Sequence, residues 1–305
     1  MSIKEHPPQQ DDSNESLLHV PVLLETTLDL LHPKLGESYL DLTAGYGGHA
    51  RRFLETTDNF AESVLVDQDE FAISKLDEFA TRGTHLLHTD FVSAARGLIE
   101  DGRQFNIILV DLGVSSPQLD QEARGFSFTK NGPLDMRMDI RQKETAATLI
   151  NKISERDLTQ IIVRYGEEPF GQARRIAQAI IAGRPFTETA PLAETIKLAT
   201  RGKWKKIHPA TRTFQAIRIA VNHELQQIEE LLPLLPKLLK QEGRVGIISF
   251  HSLEDRLVKQ YFLEETNAGY EAELEILTKK PHSGATDDVH NPRARSSKLR
   301  TAVKK

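Results

Sequence analysis

The stretch YLDLTAGYGGHARRFL, residues 39–54, decides the fold of this 305-residue chain. Apolar residues lead into Asp41, a turn with Gly45, Gly47 and Gly48 follows, and a helix-like run comes next. Glycine allows positive φ angles and lets a ligand approach the backbone closely. Three interpretations are open: a cradle for a dinucleotide pyrophosphate, a seat for another adenosine cofactor, or a tight strand-to-helix connection.

Strand-like and helix-length runs alternate around this stretch. We predict strands at 38–42, 63–67, 84–88 and 106–111, and helices at 47–57, 70–81 and 92–101. Such alternation indicates a parallel sheet built from β–α units. After Asp111 the alternation stops, because residues 112–140 are loop-like and residues 145–200 contain several short helices.

The α/β pattern resumes near the C-terminus. We predict an amphipathic helix from Thr213, a strand at 245–250, a helix with Ser252 as its N-cap, and strands at 273–278 and 297–303, the last at the sheet edge. The sheet is therefore split by an all-helical insertion. The predicted parts are a flexible arm (1–16), a first core part (17–125), the insertion (126–212), and a second core part with a basic tail (213–305).

Composition excludes several classes of protein. The chain has no cysteine, which rules out a disulfide scaffold, a thiolate metal site and a cysteine nucleophile. The eleven histidines show no metal-ligand spacing, so we expect no metal. Apolar runs are strand-sized and the N-terminus lacks the apolar core of a signal peptide, so we expect a soluble cytoplasmic protein without a membrane anchor.

The charge distribution is uneven. The formal net charge is −5, but residues 197–218 carry seven Lys/Arg and no acid, and residues 290–305 carry six and no acid. Such asymmetry indicates either that these two basic segments bind a polyanionic partner or that they form a basic surface exposed to solvent.

Acidic residues follow the strands and narrow the choice of cofactor. Asp67 ends the second predicted strand, 22 positions after Gly45, where a carboxylate grips a ribose. That feature fits both a nicotinamide dinucleotide and S-adenosylmethionine. Asp41, Asp90 and Asp111 add carboxylates at the same edge of the sheet, the one where the parallel strands have their carboxyl-terminal ends. These carboxylates repel a diphosphate and attract a cationic methyl donor. The alternative is that one or two aspartates, Asp69 especially, cap the following helices.

The reacting groups are expected after the fourth strand. Asp111 opens DLGVSSPQLD, in which Ser115, Ser116 and Pro117 are the nearest match to the polar-Pro-Pro-aromatic motif of amino-methylating enzymes. That motif accepts hydrogen bonds from the amine, and alignment supplies most of the acceleration.

Three further polar clusters are candidates for the substrate pocket. Asp135 and Arg137 could act on the substrate or form a simple ion pair. His251, directly after a strand, could be catalytic or structural. Arg124 lies between aromatic residues in RGFSF, which suits stacking on a base or binding a phosphate.

Nine motifs together resemble the ribosomal RNA small subunit methyltransferase H family. They are HVPVLLET, TAGYGGHA, DLGVSSPQLD, RGFSF, LDMRMD, YGEE, FQAIRIAVNHEL, FHSLEDR and NPRARSSKLR, in order from about residue 19 to 300. The resemblance implies a class I (Rossmann-like) methyltransferase sheet with an inserted helical domain. It also implies S-adenosylmethionine-dependent methylation of N4 of one cytosine in bacterial 16S ribosomal RNA, near the decoding centre.

The resemblance also implies site residues. Its cofactor contacts fall on Gly47, Gly48, His49, Asp67, Phe91, Asp111 and Gln118. Asp41, Gly45 and Asp90 are further cofactor candidates from the residue pattern alone. We predict RNA contacts at Arg124, Arg201, Lys203, Trp204, Lys205, Lys206, Arg212, Arg293 and Arg295. The expected partner is small-subunit ribosomal RNA or the small subunit, and a homodimer is compatible with the sequence.

Three alternatives stay open. One is a ribosome-assembly factor with a vestigial cofactor site, and a second is a nicotinamide-dependent oxidoreductase. The third keeps the chemistry and changes the substrate to DNA or protein.

Overall fold

The computed structural model describes residues 21–200 and 208–305, and within them one mixed sheet contains eight strands. They are β1 (Tyr39–Asp41), β2 (Val64–Asp67), β3 (His85–His88), β4 (Phe105–Asp111), β5 (Leu239–Ser249), β6 (Leu274–Ile276), β7 (His282–Ser283) and β8 (Lys298–Lys304). The order is β3-β2-β1-β4-β5-β8-β6, and β7 pairs with β8. β1 to β5 pair in parallel, whereas β8 is antiparallel to its neighbours.

The strand assignments confirm the predicted sheet with one correction. The segment predicted at the sheet edge, β8, lies inside the sheet because it pairs with β5 on one side and β6 on the other. Its side chains Leu299 and Ala302 are fully buried, as an inner position requires. The chain thus folds as an α/β sheet with a helical insertion.

Helices flank the sheet and form the insertion. They are α1 (Leu24–Leu31), α2 (Gly48–Thr57), α3 (Glu70–Ile73), α4 (Asp77–Thr81), α5 (Phe91–Glu100), α6 (Ser116–Asp120), α7 (Ala146–Lys152), α8 (Glu155–Gly166), α9 (Phe170–Gly183), α10 (Thr189–Ala199), α11 (Ala210–Asn222), α12 (Glu224–Leu231), α13 (Leu235–Leu238), α14 (Ser252–Asn267) and α15 (Gly284–Asp287). The single helix predicted at 70–81 is therefore two short ones. None of the helices in the described part of the chain is long and apolar enough to cross a bilayer.

The sheet separates two hydrophobic cores because successive strand residues point to opposite faces. Leu40 and Ile108 lie in one core with side chains of α5, α12 and α14. Tyr39, Leu65 and Ile107 lie in the other with side chains of α1, α2 and α4. The inner strands β1, β2 and β4 are thus covered on both faces, which explains their largely apolar sequences.

The insertion has a hydrophobic core of its own, formed by helices α7 to α11 and the preceding loop. Phe214 and Val221 of α11 lie in that core. The predicted start of the second core part at residue 213 is therefore wrong. The chain turns at His223, which has φ 53°, and Ile228 of α12 then packs against the sheet.

Asn222, at the end of α11, fixes the loop that connects the sheet to the insertion. Its Oδ1 accepts a hydrogen bond from the Met138 N–H at 2.8 Å, and its Nδ2 donates to the Met136 carbonyl at 2.8 Å. Asn222 is buried, and Met136 has φ 62°, a conformation that non-glycine residues rarely adopt. These bonds therefore hold the loop in an unfavourable conformation.

We expect Asn222→Ala to lower the free energy of unfolding by about 2–4 kcal/mol, because two buried backbone groups lose their partners. Asn267→Ala, at the exposed end of α14, is the matched control and is expected to stay within about 0.5 kcal/mol of the parent. Chemical denaturation measures both. Equal unfolding midpoints for the two variants would contradict this role for Asn222.

Candidate active site

Three aspartates project from one face of the sheet at the carboxyl-terminal ends of neighbouring strands. Asp41 of β1 lies opposite Leu65 of β2 and Leu109 of β4. Asp67 and Asp111 come two residues after those partners, so the strand period of two places all three carboxylates on the same face. The strand order reverses between β1 and β4, and open α/β sheets bind ligands at such a reversal.

Asp67 holds the glycine-rich turn. Its Oδ2 accepts from the Gly45 N–H and its Oδ1 from the Asp69 N–H, both at 2.8 Å. Burial raises the pKa of Asp67 to about 6, although these bonds favour the charged form. A carboxylate can accept about four hydrogen bonds, so Asp67 can still accept from ribose hydroxyls.

Asp41 lies behind the turn and is 1% exposed. Tyr39 Oη donates to its Oδ2 at 2.7 Å, and the Thr43 N–H donates to its Oδ1 at 3.1 Å. Burial raises the pKa of Asp41 to about 7. This burial leaves Asp41 no surface for the direct ligand contact that its sequence position suggested.

Asp111 ends β4 and is only partly covered. Its Oδ1 is buried without a hydrogen-bond partner in the described residues, and its Oδ2 lies 3.7 Å from His49 Nδ1. Burial and the nearby charges of Asp41 and Glu254 raise the pKa of Asp111 well above its usual range. His49 Nε2 lies 3.1 Å from the Val22 carbonyl, which fixes the ring beside Asp111. Asp111, with the fixed His49 ring beside it, is therefore the carboxylate of the site that is best placed to contact a ligand.

Two glycines of the turn are required by their surroundings. Gly47 has φ +75°, and a Cβ there would lie 2.5 Å from Phe79 Cε2. A Cβ on Gly48 would lie 2.5 Å from Pro21 Cγ. The turn therefore brings its backbone close to the sheet edge at positions where a side chain would not fit.

At the third strand, the structure supports the helix-cap interpretation. Asp90 Oδ1 accepts from the N–H groups of Val92 and Ser93 at 3.0 and 2.9 Å and so caps α5. Phe91 is half-buried and packs against the sheet core. Asp69 likewise caps α3 through the Phe71 N–H.

The loop after β4 covers this edge and is tied down through Asp69. Gln118 Nε2 and Arg124 Nη1 both donate to Asp69 Oδ2, at 2.8 and 2.7 Å. Gln118 also accepts from the Ser115 N–H in a capping box at the start of α6. Its amide therefore orders the loop, and Ser116 beside it is buried.

The structure places Arg124 in the loop after β4. Its guanidinium binds Asp69 and donates to the carbonyls of Arg137 and Met138, both at 3.1 Å. Only 15% of the side chain is exposed. These bonds hold the loop, and the RNA contact of Arg124 stays a prediction.

Asp135 and Arg137 form the ion pair that was the alternative to a catalytic role. Arg137 Nε and Nη2 donate to the two oxygens of Asp135 at 2.7 and 2.8 Å. Arg137 Nη1 donates to the carbonyls of Ile140 and Gln142. This pair closes the loop, and the catalytic roles of Asp135 and Arg137 stay a prediction.

His251 lies at the start of α14 with both ring nitrogens facing Glu254. Nδ1 accepts from the Glu254 N–H at 3.4 Å, and Nε2 lies 3.1 Å from Glu254 Oε1. His251 is thus the N-cap of α14, where the sequence predicts Ser252. His251 thus has a structural role at the start of its helix, and its catalytic role stays a prediction.

Glu224, His251 and Glu254 bring potential ligand atoms within 4.8 Å of one another. Arg218 already binds both oxygens of Glu224, at 2.8 and 2.7 Å. An imidazole whose Nδ1 accepts a hydrogen bond carries its hydrogen on Nε2 and cannot give that atom to a metal. These groups therefore form an ion-pair network between α11, α12 and α14.

The predicted RNA contacts fall in three groups. Arg201, Lys203, Trp204, Lys205 and Lys206 lie outside the described residues. Arg212 Nη1 is 3.6 Å from Glu168, and Arg293 Nη2 donates to Asp120, both at exposed positions. Arg295 is exposed beside Arg293. Exposed pairs are weak, so these arginines can exchange their partners for phosphates.

Sequence reasoning missed two partners of the aspartates. Tyr39 is two residues before Asp41 on the same strand, so the period of two could have identified it. Glu254 accepts from the N–H groups of Phe250 and His251, and its spacing from His251 is that of a capping box. Its influence on Asp111 had no signal in the sequence, because it crosses from α14 to β4.

The chain matches the model of the MraW methylase family over residues 16–305. A relative from Acidobacterium capsulatum is 44% identical over 298 residues, which cover 94% of this chain and 98% of the relative. A relative from Synechocystis is 48% identical, covering 94% of this chain and 93% of the relative. Both are named ribosomal RNA small subunit methyltransferase H.

Solved structures are similar to this chain only at low sequence identity and low TM-score. A rRNA methylase from Streptococcus thermophilus is 10% identical with a TM-score of 0.42, over 93% of this chain and 98% of that one. TrmN from Thermus thermophilus is 11% identical with a TM-score of 0.43, over 93% of this chain and 48% of that one. Similarity at this level adds nothing about function.

We expect Gly47→Ala to lower the free energy of unfolding by about 1–3 kcal/mol, because the new methyl group meets the Phe79 ring and alanine disfavours positive φ. Gly97→Ala in α5 is the matched control. A Cβ there meets no atom within 4 Å, so we expect unchanged stability or a gain of up to about 1 kcal/mol. Urea denaturation distinguishes the two, and equal tolerance at both positions would contradict the constraint on the turn.

Proposed function

Since the chain belongs to the MraW methylase family, we propose that it transfers a methyl group from S-adenosylmethionine to N4 of one cytosine in small-subunit (16S) ribosomal RNA, near the decoding centre. One observation carries this proposal: near-full-length identity of 44% to a protein named ribosomal RNA small subunit methyltransferase H. The choice of N4 and of cytosine rests on the motif resemblance. The sheet edge supplies a site whose chemistry suits the cofactor.

The residues at the sheet edge fit a cationic adenosine cofactor. S-adenosylmethionine carries its methyl group on a positively charged sulfur, which makes that carbon electrophilic. Asp67 is placed to accept from the ribose hydroxyls, and Phe91 to pack on the adenine. Asp111, with a buried oxygen that lacks a partner, is placed to attract the amino group or the sulfonium. Gly47 and Gly48 let the backbone approach, and His49 orients Asp111.

The loop after β4 supplies the acceptor side of the reaction. We assign the orientation of the cytosine amine to Asp111, Ser115 and the backbone carbonyls beside them. When these groups accept hydrogen bonds from the amine, its lone pair is localised on the nitrogen and directed toward the methyl carbon. Alignment of the nitrogen with that carbon gives most of the acceleration. Methyl transfer breaks the sulfur–carbon bond and leaves N4 positively charged. Loss of one N–H proton restores conjugation of the nitrogen with the ring, so this proton is strongly acidic and leaves to water without a dedicated strong base.

The insertion is assigned to RNA recognition because of its charge. Residues 126–212 contain 16 Lys/Arg against nine Asp/Glu, in a chain whose net charge is −5. Five of these basic residues lie in the segment 197–206, and the tail residues Arg293 and Arg295 add further positive charge outside the insertion. Positive side chains neutralise phosphates and bind RNA without reading its sequence. The target base is expected to turn out of its stack into the pocket, at a cost of a few kcal/mol.

The competing interpretations are less well supported. A ribosome-assembly factor with a vestigial cofactor site is less well supported, because the near-full-length relatives are named as methyltransferases. A DNA or protein substrate has no counterpart in the names of the relatives. Cytoplasmic location and a homodimer stay predictions.

The direct test incubates the full chain with labelled S-adenosylmethionine and small subunits that lack the modification, followed by nucleoside analysis. We expect label in N4-methylcytidine. Asp111→Ala should abolish transfer, whereas Asp77→Asn on the exposed surface of α4 should retain it. Label in another nucleoside, or none, would refute the proposal. Cofactor binding without transfer would favour the assembly-factor alternative.

For RNA recognition, we expect Lys203, Lys205 and Lys206 replaced together by Ala to weaken subunit binding and flatten its salt dependence. Each lost phosphate contact reduces the slope of log K against log salt by about 0.7 for single-stranded regions, so the expected total change is about 2. The control replaces three exposed lysines of the sheet domain, Lys34, Lys75 and Lys237. An unchanged slope in the first variant would remove these lysines from the RNA surface.

A further inference from the structure

The pairing of β1 with β4 continues into a side-chain hydrogen bond. β1 ends at Asp41, and the chain then turns toward β2, where the Ala44 N–H donates to the Val66 carbonyl at 2.8 Å. In a continuing parallel ladder, the N–H of Asp111 on β4 would face a carbonyl of the β1 chain. It donates instead to Thr43 Oγ1 at 2.6 Å. A hydroxyl at the start of the glycine-rich turn thus replaces a backbone acceptor of the ladder.

Thr43 is itself held from inside the sheet. Its N–H donates to Asp41 Oδ1 at 3.1 Å, and Tyr39 Oη donates to the other oxygen of that carboxylate at 2.7 Å. Asp41 is buried, so its two bonds are shielded from competing water. A connected set of hydrogen bonds therefore runs from Tyr39 through Asp41 and Thr43 to the backbone of Asp111.

The Thr43 bond fixes the end of β4 on the side of the glycine-rich turn. On the opposite side, the Leu112 N–H donates to the Ile248 carbonyl of β5 at 2.9 Å. The chain leaves the sheet at the next residue, Gly113, which has φ +94°. Asp111 is therefore held between β5 and Thr43 at the point where the loop after β4 begins. Thr43 thus connects the turn assigned to the cofactor with the loop assigned to the cytosine amine.

We propose that Thr43 is a positioning residue for methyl transfer. Its hydroxyl fixes the backbone of Asp111 and thereby sets the alignment of the cytosine amine with the methyl group of the cofactor. This inference rests on the proposed function and adds a residue that acts through Asp111 without contacting either ligand. Without the hydroxyl, the Asp111 N–H loses its acceptor, and the end of β4 is held from the β5 side alone.

The loss should appear in the methyl-transfer step more than in cofactor binding. Coulomb attraction falls as the inverse of distance, so a shift of about 0.5 Å at a separation of about 4 Å changes it by roughly one eighth. Alignment is more sensitive, because a displacement of about 1 Å can cost roughly 100-fold in rate. A small shift of Asp111 therefore slows transfer while the cofactor still binds.

Two substitutions separate the hydroxyl from the shape of the side chain. Thr43→Val keeps the branched shape and removes the acceptor, whereas Thr43→Ser keeps the hydroxyl. With saturating cofactor and small subunits that lack the modification, we expect the single-turnover rate of Thr43→Val to fall roughly 10- to 50-fold. Its Kd for S-adenosylmethionine, measured by equilibrium dialysis, should stay within about threefold of the parent. Thr43→Ser should stay within about threefold of the parent in both measurements.

Ser63 offers a matched structural control at the amino-terminal end of the same strands. Its Oγ accepts from the Tyr39 N–H at 3.0 Å, so Ser63→Ala removes the same kind of bond at a distance from the site. Both Ser63→Ala and Thr43→Val should lower the urea midpoint of unfolding, because each leaves a strand N–H without its acceptor. Only Thr43→Val should slow transfer.

The outcomes distinguish the inference from the proposed function. An unchanged transfer rate in Thr43→Val, equal slowing in Ser63→Ala, or equal slowing in Thr43→Ser would overturn the role of the Thr43 hydroxyl and leave the proposed function intact. If Thr43→Val does not fold, Thr43→Ala removes the same acceptor and is expected to slow transfer at least as much. A parent protein that transfers no methyl group would instead refute the proposed function.

Discussion

The constraint on which the site depends is the two-residue period of parallel strands at the point where the strand order reverses. It places Asp41, Asp67 and Asp111 on one face, at one edge, with no Lys or Arg beside them in the described residues. The glycine-rich turn folds over this edge because Asp67 holds the Gly45 N–H. A concentration of buried carboxylates is unfavourable in the free protein and favourable for a cationic ligand.

The loop after β4 covers the carboxyl-terminal ends of these strands. Asp69 accepts hydrogen bonds from Gln118 and Arg124, and these bonds hold the loop over the site. The pairing of Asp135 with Arg137 closes the same loop, and Asn222 fastens it to α11. The helical insertion is thereby attached next to the site, where its excess of basic residues can meet RNA.

Patterns within short stretches made the sheet and the strand-end aspartates predictable, since period, turn glycines and strand ends are local properties. Side-chain partners were less predictable. Asp69 and Arg124 are 55 residues apart, and only the folded chain shows that this arginine binds Asp69. Likewise, the apolar stripe that begins at Thr213 continues past His223, where the chain turns. The sequence therefore could not show that α11 packs in the core of the insertion and α12 against the sheet.

We expect the carboxylates at the carboxyl-terminal ends of the strands to select a cationic methyl donor over a dinucleotide. Equilibrium dialysis of the full chain against S-adenosylmethionine and against reduced nicotinamide adenine dinucleotide, in the same buffer, measures this selection. We expect saturable binding of S-adenosylmethionine and no measurable binding of the dinucleotide, whose pyrophosphate would face Asp111. Tighter binding of the dinucleotide would contradict it.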